Sequence, residues 1–491
     1  MINRSGQISF VIEKPAIARL EIPSEFKQAV EKALSYKDKS FQYSYDKLKK
    51  NRWAAQSDPV KWQNDCDNLK AQIHQSLLFR DDDGYYTYSG LYSHLQEYMK
   101  MYKCDVELSN QVNYPSEQLL PYELNYKPVK LRYYQDEAVE ALLEAKHAAI
   151  SISTGGGKSL IIQKIIKSLG LKTLVVAPTK SIAGQLLKEL TAAFGKKYVG
   201  MIGANKRVLD KKITVAIGAS LVRIEDLEEI KELQKNEVFI VDESHMWAAS
   251  TLQKVAIELC ENIPYRFFVS ATQMRGDGRD LLLESIIGPV VYSKTYRELA
   301  DEGFLADLDV NFILMRSRSD YNSQNSVRMS QAHFIYNKDV LAYAAQLINE
   351  AQEKGEPTLA LLDEKEQLHM LSQQLKYKFE VASADTDVAK AVERFNEGSC
   401  KLLLGTSAIG MGSDTKPVKH LHVLQYGSSE VAFAQAIGRA TRLVEGKTSC
   451  RVYIYCVIEG FAAGVAHFKK LRNMIENMDI KTKIHDFRGN N

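Results

Sequence analysis

From about residue 126 onward, short apolar runs rich in β-branched residues alternate with segments whose apolar residues recur every three or four positions, and the series runs twice. The first set of runs covers 147–153, 173–177, 213–217, 237–241 and 266–271, with helical-period segments such as 159–170 and 181–195 between them. Runs that are apolar along their whole length belong to strands covered on both faces, and helical crossovers are what cover them. The second set covers 310–315, 358–362, 380–383, 401–405, 420–425 and 451–458. The pattern predicts an α/β chain with two tandem parallel-sheet domains, at 126–305 and 306–491, the stretch 297–309 passing from one into the other. Two such domains in tandem place a cleft between them, where ligands often bind. The polar stretch 316–326 reads as a loop.

Residues 1–125 lack this rhythm. They offer a strand pair at 8–12 and 17–22, an amphipathic helix over 23–36, a strand–turn–strand over 77–90 and a helix over 91–102. That is a small α+β domain, expected to serve as a DNA-binding or accessory module. The 64 Lys and Arg against 61 Asp and Glu leave a net charge of +3, so bulk charge names no partner. Six scattered cysteines without a CxxC pair argue against structural zinc or a disulfide framework, and for a reducing compartment. No apolar stretch approaches the ~20 residues of a membrane helix, and the amino-terminal stretch lacks the apolar core of a signal peptide. A cytoplasmic protein without a membrane partner is expected.

Three motifs carry chemistry. Ser153-Thr154-Gly155-Gly156-Gly157-Lys158-Ser159 lies between a strand and a helix, where glycines let backbone N–H groups wrap a phosphate chain. Lys158 would reach the β- and γ-phosphates and the Ser159 hydroxyl would hold Mg²⁺. Ile152 stands where the strict phosphate-loop pattern has its first glycine, and a Gly-rich turn before Lys-Ser would look similar. The second motif is the apolar strand ending in Asp242-Glu243-Ser244-His245. It delivers carboxylates to the edge where open α/β sheets build sites: Asp242 for Mg²⁺, Glu243 to polarise water. The third is Gln435-Ala436-Ile437-Gly438-Arg439-Ala440-Thr441-Arg442. On a continuous helix Gln435, Arg439 and Arg442 share a face, and two arginines there suit neutralisation of a transferring phosphoryl group. A solvated basic face is the plainer reading of that helix alone.

Taken in order, these elements resemble the superfamily 2 helicases, over roughly residues 125–460. Leu131-Arg132-Tyr133-Tyr134-Gln135 resembles their Q-type motif, which implies that Gln135 reads the adenine edge and that Arg132 or Tyr133 stacks on the base. Ser153–Ser159 is motif I in this resemblance. Val176–Lys180 is similar to motif Ia, with Thr179 and Lys180 beside a nucleic-acid phosphate, and Ser220 falls in a further backbone-contacting segment. Asp242–His245 matches motif II and Ser270-Ala271-Thr272 motif III, so His245, Ser270, Thr272 and Gln435 are implied to couple the nucleotide to the nucleic acid. Residues 405–414 resemble motif V, with Thr406 on phosphate and Asp414 on the nucleotide sugar, and 435–442 resemble motif VI. The implied fold is two RecA-like domains. The implied cofactors are ATP and Mg²⁺.

The segment 273–279 resembles the run after motif III in DNA-repair and recombination helicases, although Gln273 replaces its usual proline. Residues 18–53 and 77–108 are similar to the amino-terminal domain of the phage UvsW-type helicases, relative to which 54–76 is an insertion. That resemblance implies action on forked and junction DNA, in the host cytoplasm if the chain is phage-encoded. An RNA helicase, a translocase that does not unwind and a nucleotide-controlled DNA clamp remain open on the motifs alone.

One stretch points two ways. Lys37, Lys39, Lys47, Lys49, Lys50 and Arg52 interleave with Tyr36, Phe41, Tyr43, Tyr45 and Trp53. A DNA surface has that composition, but alternation over 41–45 equally suits a strand with its aromatics in a core. The run Asp81-Asp82-Asp83-Gly84 reads as a hairpin turn rather than a metal loop. Trp247 reads either as an anchor of the motor core or as part of an interdomain surface.

Overall fold

The computed structural model describes residues 6–487, apart from 118–129, 245, 246, 248, 272–278, 324, 407–414, 416, 427–429 and 445; the side chains at 52, 54, 249, 430–432, 434 and 435 also fall outside the description. Contacts divide the chain into two compact units, Met1–Ile152 with Lys158–Ser293, and Ser153–Gly157 with Lys294–Asn491.

The first unit holds an eight-stranded sheet. Its order is Lys206–Arg207, Val199–Gly203, Ile213–Ile217, Thr173–Ala177, Val238–Asp242, Tyr265–Ser270, His147–Ile152 and Val290–Lys294. The six strands from Val199–Gly203 to His147–Ile152 run parallel. Thr173–Ala177 and Val238–Asp242 are buried at every residue, as whole-length apolar runs require. The order matters for function. Tyr265–Ser270 lies between the strand that leads into the Gly-rich loop and the strand that ends in Asp242, so all three carboxyl ends open on one edge.

Arg266, wholly buried in that middle strand, braces the sheet from below. Its guanidinium donates to the carbonyls of Ala256 and Cys260 at 2.6 Å each, across the wide π-turn Lys254–Leu259, and lies over the Phe239 ring. Burial pulls its pKa down to about 10, which leaves it charged at neutral pH.

The amino-terminal domain belongs to the same unit. Its five-stranded sheet has the order Phe79–Asp81, Gly84–Tyr88, Ile17–Glu21, Ile8–Lys14, Val106–Asn110, antiparallel except for the last pair. Helices Lys27–Ala33 and Tyr92–Met99 cover one face through Val30, Leu95 and Met99, over Phe10 and Ile8. The first helix is shorter than the predicted 23–36, because Pro23 and a 3-10 turn precede it and the strand Ser35–Lys37 follows. Asp81 and Gly84 pair across a two-residue turn, the predicted hairpin, with Arg19 on Asp81 at 2.6 Å. This domain shares a continuous core with the α/β sheet. Gly90 makes the close approach possible: a Cβ there would lie 2.5 Å from the Ser285 carbonyl oxygen and 2.8 Å from that of Glu284. His147 lies between the two, its Nε2 3.0 Å from the Ile286 carbonyl and its Nδ1 3.2 Å from Ser89 Oγ.

The stretch 39–49 is a helix, where the alternation over 41–45 predicts a strand. Asp38 caps it by accepting from the N–H groups of Ser40 and Phe41. A five-residue alternation cannot distinguish a strand from a helix whose inner face is Phe41, Tyr45 and Leu48, four and three residues apart.

The second unit is built on a seven-stranded parallel sheet in the order Glu380–Ala382, Leu402–Gly405, Thr358–Leu362, His420–Leu424, Ser449–Glu459, Asp307–Arg316, Thr482–Asp486. Helix Lys338–Glu353 packs Leu341, Ala344 and Ile348 into a core with Leu362, Leu404 and Tyr455. Residues 317–323 have no regular structure, as the polar composition predicts.

Candidate nucleotide and nucleic-acid sites

The Gly-rich loop follows His147–Ile152 and ends in helix Lys158–Leu169. Gly155 and Gly157 have φ of +90° and +82°, a backbone that other residues rarely adopt, so the loop needs glycine at both positions. Lys158 opens the helix and turns back across the sheet edge. Its Nζ lies 3.2 Å from Glu243 Oε1, with both side chains largely buried, and 3.5 Å from the Ile152 carbonyl. Ser159 is the next residue of the same helical turn.

Asp242 is the last residue of its strand and is buried. Its carboxylate accepts from the Glu243 N–H at 2.9 Å. Burial and the adjacent Glu243 charge push its pKa up to about 7, against the pull of Lys158. A buried carboxylate in that condition, one residue from a second carboxylate, suits a divalent cation that would neutralise it. The chemistry of Asp242 therefore fits a Mg²⁺ ligand. Glu243 has φ of +50°, which turns its side chain out of the strand's alternation and towards Lys158. Among the described residues no group of three or more His, Cys, Asp or Glu side chains converges as a metal cage would, and no helix is long and apolar enough to cross a membrane.

Trp247 is an anchor of the motor core. It is buried, its Nε1 donates to the Asp242 carbonyl at 3.2 Å, and its ring fills the space above Gly218, where a Cβ would come within 1.9 Å of it. The ring thus joins the turn after Asp242 to the helix Gly218–Leu221, which carries Ser220. Nothing local in the sequence signals this contact; only the pairing of a bare Gly218 with a large ring hints at it.

The other predicted residues fall as follows. Gln135 is buried, and its side-chain oxygen accepts from the Arg132 N–H at 2.9 Å, holding the start of helix Tyr133–Ala145. Arg132 Nη1 donates to the Tyr134 hydroxyl at 3.0 Å, while the neighbouring Tyr133 ring is exposed. Thr179 caps helix Lys180–Phe194 by accepting from the Ile182 N–H, and Lys180 is exposed beside it. Ser270 ends its strand wholly buried. In the second unit Thr406 follows strand Leu402–Gly405 and donates its N–H to the Ala382 carbonyl. His245, Thr272 and Asp414, and the side chain of Gln435, lie outside the described residues.

The helix Glu430–Ala440 carries Arg439, buried, with its pKa drawn down to about 10 by that burial. Arg442 does not share the helical face predicted for it, because the helix ends two residues earlier. Buried Lys447 donates to the Ala440 carbonyl at 2.8 Å and the Thr441 hydroxyl donates to the Gly438 carbonyl, so the last turn is satisfied without continuing.

Residues 128–275 match the family model described as type III restriction enzyme, res subunit, and residues 339–444 match the helicase conserved C-terminal domain. Together they cover just over half of the chain, with the motif strands of each unit inside them. The chain belongs to the superfamily 2 helicases. Its relatives include the DNA 3'-5' translocase XPB2 of Sulfurisphaera tokodaii, 31% identical over 185 residues, 37% of this chain and 39% of that one. The ATP-dependent DNA helicase uvsW of Enterobacteria phage T4 is 20% identical over 368 residues, 70% of this chain and 72% of that one. Among solved structures, the fragment of a putative HsdR subunit of a type I restriction enzyme from Vibrio vulnificus YJ016 shares the fold, with a TM-score of 0.54 at 19% identity, over 74% of this helicase and 70% of that chain. The helicase thus spans well under two thirds of the length of the first of these relatives. Its two parallel-sheet units are tandem RecA-like domains.

Proposed function

We propose that this helicase is a DNA motor that hydrolyses ATP to unwind or branch-migrate forked and junction DNA during recombination, repair or replication. The observation that carries the reading is the meeting of Lys158, Asp242 and Glu243 at the carboxyl ends of two parallel strands that flank Tyr265–Ser270. A switch that only bound nucleotide would need no base at 243. The choice of DNA rests on two of the relatives, a DNA translocase and a DNA helicase, and on the run after motif III.

In this reading the chain has three parts: an accessory DNA-binding domain at 1–125 and motor domains at 126–305 and 306–491. Thr154, Gly155, Gly156, Gly157 and Lys158 hold the phosphates, Gln135 and Arg132 the base, and Asp414 the sugar. Ser159 and Asp242 hold Mg²⁺, which neutralises charge on the phosphates when bound. Glu243 takes a proton from the attacking water, and Arg439 and Arg442 offset charge that develops on the transferring phosphoryl group. Thr179, Lys180, Ser220 and Thr406 grip the strand. His245, Ser270, Thr272 and Gln435 pass the state of the nucleotide to that grip, with Trp247 as the packed link between Asp242 and the Ser220 helix.

Steady-state ATP hydrolysis tests this, measured without nucleic acid and with single-stranded, duplex, forked and four-way DNA and matched RNA, beside Glu243→Gln as control. Strongest stimulation by branched DNA, lost in the variant, is expected. Preference for RNA would move the function to RNA remodelling. Absence of hydrolysis under every condition would leave a nucleotide-controlled clamp.

A further inference from the structure

The stretch 38–73 leaves the amino-terminal domain and returns to it at one place. Ser35–Lys37 and His74–Ser76 pair antiparallel, and between them run the helices Lys39–Lys49, Arg52–Ser57 and Pro59–Ala71. Trp62 ties the two longer helices together, its Nε1 donating to the Leu48 carbonyl at 3.0 Å.

The first helix has two unlike faces. Phe41, Tyr45 and Leu48 are half-buried, on the side where Pro59–Ala71 lies. Lys39, Tyr43, Lys47 and Lys50 follow one another at helical spacing on the other side, and all four are exposed. Tyr43 is 69% exposed, and Trp53, just past the helix end, 78%. Between 39 and 57 there are four lysines and Arg52 against one acid, Asp46, whose carboxylate takes a hydrogen bond from Gln42. Large rings left this open are uncommon on a surface that serves only solubility. Here they are separated by cations rather than gathered into the continuous apolar patch that a protein partner would cover.

The root of the excursion is tied to the α/β domain. Asp38, 2% exposed, accepts from Arg279 Nε at 2.7 Å, and Arg279 Nη2 donates to Ser40 Oγ at 3.0 Å. Arg279 lies eight residues beyond Ala271, in the connection from the motif III strand Tyr265–Ser270 to helix Asp280–Ile287.

We propose that the outer face of 39–57 is a docking surface for unpaired DNA, with Lys47 and Lys50 on phosphates and Tyr43 and Trp53 stacked on bases, held in register with motif III through the Asp38–Arg279 pair. The proposal rests on the DNA reading above. Cations at every turn of one face match a backbone of phosphates, and rings that stand clear of the protein can stack only on bases that are not already paired.

The tryptophans provide the probe. Trp53 is exposed, Trp62 half-buried and Trp247 buried, so a strand stacked on this face quenches Trp53 directly. Titrating the full chain with oligothymidylate should quench the emission to saturation, with less effect from duplex of equal length and much less in Trp53→Phe. Tyr43→Ala with Trp53→Ala should bind the single strand at least about 30-fold more weakly. Lys47→Gln with Lys50→Gln should reduce the slope of log affinity against log salt by about 0.7 for each lysine. Hydrolysis without DNA should be unchanged in both variants. Unaltered affinity and salt slope in these variants, beside normal DNA-stimulated hydrolysis, would overturn the surface and leave the motor standing. Equal quenching by duplex would overturn the choice of unpaired DNA. Trp53 quenching in a protein whose hydrolysis ignores DNA would uphold the surface while the motor reading failed.

Discussion

Glu243→Gln should make the nucleotide bind more tightly while nearly abolishing its turnover. In the structure Lys158 is engaged by Glu243 at 3.2 Å, with side-chain exposures of 10% and 16%. The gross attraction of two unit charges at that distance is about 5 kcal/mol at an effective dielectric constant near 20. Most of it is offset by the cost of removing both ions from water, and a net of about 1–2 kcal/mol is a reasonable remainder for a pair this shielded. An arriving polyphosphate must displace that pair and also meets the Glu243 charge itself. The glutamine removes both obstacles, and with the adjacent charge gone Asp242 ionises more readily. Affinity for ATP should therefore rise about 5- to 30-fold, whereas hydrolysis falls about 10²- to 10⁴-fold with loss of the base. Displacement of a fluorescent nucleotide measures the first, and single-turnover hydrolysis the second. A well-folded variant that binds ATP no better than the parent would refute the argument, because it would show that Lys158 is not held by Glu243 before the nucleotide arrives.

Three further outcomes test the scaffold. Gly90→Ala sets a Cβ 2.5 Å from the Ser285 oxygen, so the amino-terminal domain must back away from the sheet; a loss of about 1–3 kcal/mol is expected in urea unfolding, with faster proteolysis at the domain's edge. Arg266→Met leaves the Ala256 and Cys260 carbonyls without their buried donor and should cost about 2–5 kcal/mol, whereas an unchanged urea midpoint would mean that the π-turn has found other partners. His94, with Nδ1 3.5 Å from Glu284 Oε2 and Nε2 3.1 Å from the Ala33 carbonyl, has its pKa raised by the Glu284 hydrogen bond against burial. A raised folded value means that the contribution is complete below the unfolded value, about 6.5, and disappears as pH climbs through the folded one. The stability gap between the parent and His94→Gln should thus be wider at pH 6 than at pH 8.5, and a gap independent of pH would count against the pair.

The strands that carry motifs I, II and III were readable because burial on both faces forces continuous apolar runs, and 147–152, 238–242 and 265–270 are such runs. Val199–Gly203 is just as buried, yet its two glycines and methionine dilute the β-branched signal. Thr482–Asp486 escapes notice for the opposite reason: as an edge strand it is largely exposed and polar. At the candidate site the identities of Lys158, Asp242 and Glu243 could be read from local pattern, but not their pairing, which depends on a left-handed backbone at Glu243. Arg442 was misplaced because the helix before it ends through Lys447, a contact seven residues from Ala440 that periodicity does not register. The aromatic and lysine stretch could not be assigned from sequence because its two faces separate only once 39–49 is known to be helical.

The short ladder of Ser35–Lys37 with His74–Ser76 makes the helicase modular in a way that bears on how it can change. A chain that departs and returns within one strand spacing can be lengthened, shortened or exchanged there without moving the sheet behind it, since even a doubling of the intervening length adds only about 0.6 kcal/mol of closure entropy. The motif strands have no such freedom, being packed on both faces. Variation is therefore directed to the three outer helices, while Asp38 and Ser40 at their root are tied to Arg279 of the α/β domain. A lineage, or an engineer, could therefore exchange these helices while leaving the parallel-sheet core as it stands.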